Sequence, residues 1–356
     1  MGVWFSLIVV GALILIPLIG VGVLGLKGLF GVFVPYLALV IFIVGLIRRV
    51  IIWGKSPVPF HIPTTCGQMP TSLPWIKHSR LESPANGWEV FLRMFLEVVF
   101  FRSLFRNLRT EMGPGQRPVY GSTKWLWLGG IVFHYSFLVV LLRHLRFFTD
   151  PTPKLISTIE SVDGFFQIGH PHILITGLTL FGAAFYLFLR RVLIPYVKNL
   201  SLPADYFPLF LIMAIAGTGI LMRYFLKTDI IKVKELTMGL ATLHPKVPEE
   251  VGTIFYVHLF LVSSLFAYFP FSKLVHLGGV FLSPTRNLAN NSRAVRHINP
   301  WDYPVKVHTY EEYEEEFREK MKMVGIPVEK DVEEVEQGPE TTEQPQTTEE
   351  TTEEKE

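Results

Sequence analysis

The chain has 356 residues, 49% hydrophobic and only 18% charged, against about 25% charged in an average protein. The formal net charge of +2 is a balance, with −10 on residues 331–356 and about +12 on the rest. No soluble basic face exists to engage nucleic acid, and the single cysteine, Cys66, excludes an intrachain disulfide or a Cys-ligated iron–sulfur cluster held by this chain alone.

The apolar residues gather in blocks, and blocks of about 18 or more read as membrane spans. Six are expected, at residues 3–26, 29–52, 124–147, 165–193, 207–226 and 251–277. In hydrocarbon only helices and closed barrels satisfy the backbone, and the alternation of a barrel is absent. The expected fold class is therefore all-α, a polytopic bundle of six transmembrane helices. The first span has no positive n-region and exceeds the usual signal length, so it reads as a retained helix. Between spans two and three, residues 88–109 place Phe91, Met94, Phe95, Val98 and Phe105 near one helical face, with arginines at both ends. This segment is too charged to span. It reads as an interfacial helix on the cytoplasmic leaflet, as a docking surface for a soluble subunit, or as both. Residues 310–323 form a charged helical pattern. Residues 331–356 are rich in Glu, Thr and Gln and lack aromatics, the composition of a disordered acidic tail.

Basic residues set the orientation. The loop between spans two and three holds Arg48, Arg49, Lys55, Lys77, Arg80 and five further arginines. The loop after span four holds Arg190, Arg191 and Lys198, and the segment after span six holds Arg286, Arg293, Arg296 and Lys306. Six spans put all three on one side, which is then the cytoplasm. Lys227, Lys232, Lys234 and Lys246 on the other side weaken the bias without reversing it. Both termini are expected in the cytoplasm, with the protein in the cytoplasmic membrane.

Four of eleven histidines fall in or at the ends of predicted spans: His134 and His144 in the third, His258 and His276 in the sixth. An ionisable residue in a span is costly and points to function, and neutral imidazole is a good ligand to haem iron. Because the two spans are antiparallel, His134 meets His276 near the cytoplasm and His144 meets His258 near the outer surface. Two bis-histidine haems are the expectation. The separations along continuous helices would differ, at roughly 15 Å for the first span and roughly 27 Å for the second. Tilted helices, tilted haems or a bend at Pro270 could absorb the difference. No C-x-x-C-H motif occurs, so haem attached through that motif is excluded.

The paired histidines ten and eighteen residues apart, together with Phe269-Pro270-Phe271-Ser272-Lys273-Leu274-Val275-His276, resemble the NarI-like membrane cytochrome b family of respiratory nitrate reductase. The resemblance covers about residues 30–285. Phe100-Phe101-Arg102-Ser103-Leu104-Phe105 and Ser283-Pro284-Thr285-Arg286-Asn287 look like the M subunits of sulfite-reduction-associated Dsr complexes and their archaeal haem-containing menaquinol-oxidising counterparts. The resemblance divides the chain into an additional N-terminal helix (1–28), a dihaem membrane domain (29–285, with cytoplasmic loop 53–123), a cytoplasmic segment (286–330) and the tail (331–356). It implies two haems b, with menaquinol or menaquinone as substrate, oxidised near the outer haem. It also implies electrons passing to a cytoplasmic iron–sulfur subunit resembling heterodisulfide reductase, and further membrane and cytochrome c partners, within dissimilatory sulfur metabolism.

Other candidates are weaker. His170 and His172, at the outer end of span four, could accept protons from quinol. Arg143, Arg146 and Arg223 could pair with haem propionates or snorkel toward the interface. The family's quinol site includes a lysine at the start of the helix after the first ligand helix. No clear match exists here: Asp163 or Gly164 falls near that place, and Lys154 lies earlier in the loop. Two alternatives remain open, a heterodisulfide-reductase-type subunit using methanophenazine and a haem-free transporter or scaffold. The absence of broken-helix repeats weighs against the latter.

Overall fold

In a computed structural model, the protein is described at residues 2–56, 75, 77–165, 172–291 and 307–329. Cys66, His170 and the acidic tail lie outside the described residues. The chain forms two units, Met1–Tyr303 and Pro304–Glu356.

In the first unit, α1 (Gly2–Gly22) and α2 (Leu29–Lys55) are strongly apolar over the length of a span, with the charges of α2 confined to its end at Arg48, Arg49 and Lys55. Gly25, at φ +69°, turns the chain between them, in a conformation that favours glycine. Then come α3 (Gly87–Phe100) and α4 (Arg102–Arg106). A small antiparallel hairpin follows, β1 (Leu108–Met112) paired with β2 (Pro118–Ser122). Next are α5 (Lys124–Phe147), α6 (Lys154–Asp163), α7 (Ile175–Leu193), α8 (Pro195–Leu200), α9 (Pro203–Leu226), α10 (Ile230–Ala241) and α11 (Thr253–Phe271). The unit closes with short helical turns, α12 (Lys273–Leu282) and α13 (Pro284–Asn287). In the second unit α14 (Tyr310–Met323) starts at a capping box between Thr309 and Glu312.

Among the described residues six helices are long and apolar enough to cross a membrane: α1, α2, α5, α7, α9 and α11. The fold is thus the expected all-α polytopic bundle. In the bundle α5 packs on α7, α7 on α9, and α9 on α1 and α11, while α11 also packs on α1 and α2. The N-terminal helix is part of this core, since Val10 meets Leu211, Val257 and Leu261.

Three features differ from the expected elements. The fourth span begins at Ile175 rather than residue 165, because the residues just before it are not helical. Two further amphipathic helices, α6 and α10, occupy connections that were read as loops. They lie at one end of the bundle, where α10 is tied to the end of α5 by Thr237 Oγ1 donating to the Phe147 carbonyl at 2.6 Å. Finally, the sixth span ends at Phe271 rather than 277.

That last break has a local cause. Pro270 has no N–H to continue the helix, and Ser272 leaves it with an extended backbone, φ −113° and ψ 176°. Ser272 Oγ donates to the Phe269 carbonyl at 2.9 Å and accepts from the Leu274 N–H at 3.1 Å, so it closes one turn and opens the next. Arg49 Nε donates to the Pro270 carbonyl at 3.2 Å. Gly45 lets α2 approach here, since a Cβ added to it would lie 2.8 Å from Pro270 Cβ. Gly45→Ala is therefore expected to lower stability by about 1–3 kcal/mol through overpacking, read as a lower denaturation midpoint of the detergent-solubilised protein. An unchanged midpoint would mean that α2 can back away from the break.

Candidate haem ligand pairs

The four span histidines come together as two pairs. The rings of His134 and His276 have centroids 5.9 Å apart and stand nearly perpendicular, at 80°. Those of His144 and His258 are 6.3 Å apart and nearly parallel, at 14°. A ring centroid lies about 1 Å behind its nitrogen, and a metal–imidazole bond is about 2 Å long, so two imidazoles sharing one ion place their centroids roughly 6 Å apart. Both pairs have that spacing.

In each ring Nδ1 is already engaged. His134 Nδ1 donates to the Gly130 carbonyl at 2.7 Å, His144 Nδ1 to the Val140 carbonyl at 2.7 Å, and His276 Nδ1 to the Lys273 carbonyl at 2.8 Å. A carbonyl only accepts, so in all three the proton is on Nδ1. His258 Nδ1 lies 2.9 Å from Thr218 Oγ1, whose own proton is directed to the carbonyls of Ala214 and Ile215 at 2.8 and 2.9 Å. The hydroxyl thus accepts from His258. Occupied Nδ1 atoms leave Nε2 as the ligating nitrogen and set the ring orientation, the usual supporting arrangement of a metal-bound histidine.

The residues present fit haem. Among the described residues no group of three or more metal-ligating side chains converges. Two imidazoles are the complete protein donor set for an ion whose other positions are filled by a macrocycle. Such a macrocycle also needs room between the helices that hold its iron. The principal neighbours of α5 and α11 are other helices, α7 for the one and α1, α2 and α9 for the other, while the histidine rings themselves come together.

The break after Phe271 also accounts for the unequal spacing. From His258 to Phe271 the helix rises only roughly 20 Å. The chain then turns, so His276 sits on α12 instead of completing a continuous 27 Å run. Of the three possible adjustments, the structure contains the bend at Pro270.

Sequence reasoning missed several supports of these rings. Lys273, whose carbonyl accepts from His276, has its ammonium 2.7 Å from Asp205 Oδ1 at the start of α9. Phe101 sets its ring edge-on to His134, with centroids 5.0 Å apart. It holds φ +51°, rare for an aromatic residue and costing about 1–2 kcal/mol. The elbow it forms is secured by Glu97 Oε2, which accepts from Ser103 N–H and Oγ at 3.0 and 2.6 Å. Glu97 also pairs with Arg286 at 3.1 Å. Segments 100–105 and 283–287 are thus joined through Glu97.

The arginines are placed differently from one another. Arg143 Nε lies 2.9 Å from Asp163 Oδ2, with both side chains buried. Arg146 pairs with Glu160. Both acids belong to α6, so these two arginines face protein carboxylates. Arg223 donates to the His172 carbonyl at 3.2 Å, and its buried Nε has no protein partner among the described residues. Asp163 also accepts from Thr176 N–H at 2.8 Å and Thr176 Oγ1 at 2.7 Å. The exposed Lys154 is the first residue of α6, the helix that follows the first ligand helix.

Residues 108–297 match the family described as nitrate reductase gamma subunit. The chain is 48% identical over 281 residues to the Hdr-like menaquinol oxidoreductase cytochrome b-like subunit of Archaeoglobus fulgidus, an alignment covering 77% of this chain and 83% of that protein. It is 40% identical over 275 residues to the protein of the same description from Archaeoglobus profundus, covering 75% and 81% respectively. Matched over more than half its length and joined by relatives this similar, the chain belongs to the nitrate reductase gamma subunit family, the NarI-like membrane cytochromes b.

Proposed function

We propose that the protein is the dihaem subunit of a respiratory complex that oxidises menaquinol near the outer membrane face and delivers electrons to a cytoplasmic iron–sulfur subunit. The observation that carries this reading is the two histidine pairs, each spaced for one ion and each with its Nδ1 atoms spent on supporting bonds. The names of the two Archaeoglobus relatives support menaquinol as substrate and membership of a complex with heterodisulfide-reductase-like character. Segments 100–105 and 283–287 support a place in dissimilatory sulfur metabolism, with further membrane and cytochrome c subunits.

In this reading His144 and His258 hold the outer haem, and His134 and His276 the inner one. Bound haem b supplies reversible one-electron chemistry, which matters because hydrocarbon about 30 Å thick separates the two aqueous phases. Arg223 is the best placed of the three arginines to meet a propionate. Lys154, exposed at the start of α6, is the candidate for the family's quinol-site lysine. Asp163 serves to hold α6 against α5, since Arg143 and Thr176 already engage both its oxygens. The cytoplasmic membrane is the location, with both termini inside.

A pyridine haemochrome assay of the purified protein is expected to give close to two b haems per chain, reducible by a menaquinol analogue. A haem-free preparation would sink the proposal in favour of a transporter or scaffold. Reduction by a dihydrophenazine but not by menaquinol would move it to the methanophenazine circuit.

A further inference from the structure

The helix α3 has its faces reversed relative to a water-exposed surface helix. Glu89, Arg93 and Glu97 recur every four residues and turn toward the protein, where each is satisfied. Glu89 Oε2 accepts from the Ala85 N–H at 2.8 Å, Arg93 donates to the Glu82 carbonyl at 2.8 Å, and Glu97 binds Ser103 and Arg286. The opposite face carries Trp88, Phe91, Leu92, Phe95 and Val98. Trp88 is 72% exposed, Phe91 56% and Phe95 46%. Their rings stack along the helix, Trp88 on Phe91 with centroids 5.4 Å apart and Phe91 on Phe95 at 6.5 Å. A helix that hides its charges and presents an aromatic row is stable only where its surroundings are not water.

Two observations identify those surroundings. The C-terminal end of α3 is strapped to α5: Tyr135 Oη donates to the Val99 carbonyl at 2.9 Å, and Trp127 Nε1 to the Phe100 carbonyl at 2.8 Å. Tyr135 lies eleven residues into the span that starts at Lys124, roughly 16 Å along its axis. Trp127 is only three residues into it, and helical side chains point back toward the helix start, so that end of α3 lies against the first turns of the span. The aromatic row also runs on from Phe95 to Phe100, with centroids 6.2 Å apart, at the end held by α5, which itself exposes Leu128, Tyr135 and Leu138. A spanning helix turns such an apolar surface toward acyl chains, and α3 is held against it.

We propose that the aromatic face of α3 docks into bilayer lipid, as a helix half inserted in the leaflet at the end of the bundle where α2 connects to α5. The inference does not depend on whether the histidines bind haem. It is tested with nitroxide labels at single cysteines, Trp88→Cys, Phe91→Cys and Phe95→Cys, in a Cys66→Ala background of the full-length protein. Each labelled protein is placed in phospholipid nanodiscs, and its accessibility to oxygen and to a water-soluble nickel chelate is measured by EPR power saturation. Leu138→Cys on α5 gives the lipid reference and Val119→Cys on the exposed hairpin the aqueous one. The expected oxygen-to-nickel ratio at all three sites is close to that at Leu138 and several-fold above that at Val119. A ratio like that of Val119 would overturn the proposal in favour of a solvated helix. Exclusion of both reagents would overturn it in favour of a protein partner. A variant that fails to fold leaves the other two sites to decide, and the visible haem spectrum, not the label, reports separately on the histidines.

Discussion

Alanine at His144 and alanine at His258 are expected to abolish the same haem signal, and alanine at His134 or His276 the other one. Each single variant should lose about half of the haemochrome absorbance, and each double variant within a pair should lose no more than either single. The expectation follows from the ring geometry. His144 and His258 are nearly parallel at 6.3 Å, whereas His134 and His276 are nearly perpendicular at 5.9 Å. The relative orientation of two axial imidazoles shapes the low-spin ferric EPR spectrum, so the two signals are expected to be distinguishable as well as countable. If His134→Ala and His258→Ala spared the same signal, the pairing would be wrong. Thr218→Val, which removes the acceptor of the His258 Nδ1 proton, should disturb only the signal lost in His144→Ala. An outer-ligand partner of this kind typically matters by 10–100-fold in metal affinity.

The second large effect is expected at the contact between α5 and α6. Asp163→Ala removes the partner of Arg143 and leaves a buried guanidinium without its counter-charge, a change that typically costs about 3–5 kcal/mol. Thr176 simultaneously loses the acceptor for its N–H and Oγ1. Glu160→Ala, three residues earlier on the same helix, should cost about 1 kcal/mol or less, because its pair with Arg146 is more than a quarter exposed on both sides. Denaturation midpoints of the two variants in the same detergent would test the contrast. Equal midpoints would mean that α6 is held by something other than the buried pair. Since Arg143 directly precedes His144, loss of the pair should also broaden the outer haem signal while leaving the inner one sharp.

What could be read from the sequence depended on which physical signal each element carries. Hydropathy marks long apolar helices strongly, so the six spans and the order in which their histidines meet were legible. Hydropathy does not mark a helix end when the residues beyond it stay apolar. Leu274, Val275, Leu277, Val280, Phe281 and Leu282 continue the apolar character past Pro270, so the sixth span looked six residues longer than it is. The helices α6 and α10 are only 10 and 12 residues long and interrupted by polar residues, below what a span criterion detects. Missing α6 had a consequence for the site. With Asp163 and Glu160 unplaced, Arg143 and Arg146 looked open to propionates, and Lys154 looked like a loop residue instead of a helix start. Phe101 was beyond sequence reasoning, because nothing in an aromatic side chain announces a left-handed backbone.

The two ligand pairs also stand on different kinds of scaffold. His144 and His258 both sit on long spanning helices, at the end of α5 and near the start of α11. His276 sits on α12, a string of short turns outside the last span, anchored through Ser272 and the exposed Lys273 that reaches Asp205. Short segments with few buried contacts open locally at far lower free energy than the global transition. The bundle therefore has a graded order of assembly built into it. The His144–His258 pair is expected to form as the spans associate, and the His134–His276 pair to be completed when one short segment settles. That segment is continuous through Arg286 with the elbow at Glu97, so the latest joint to close is also tied to α3.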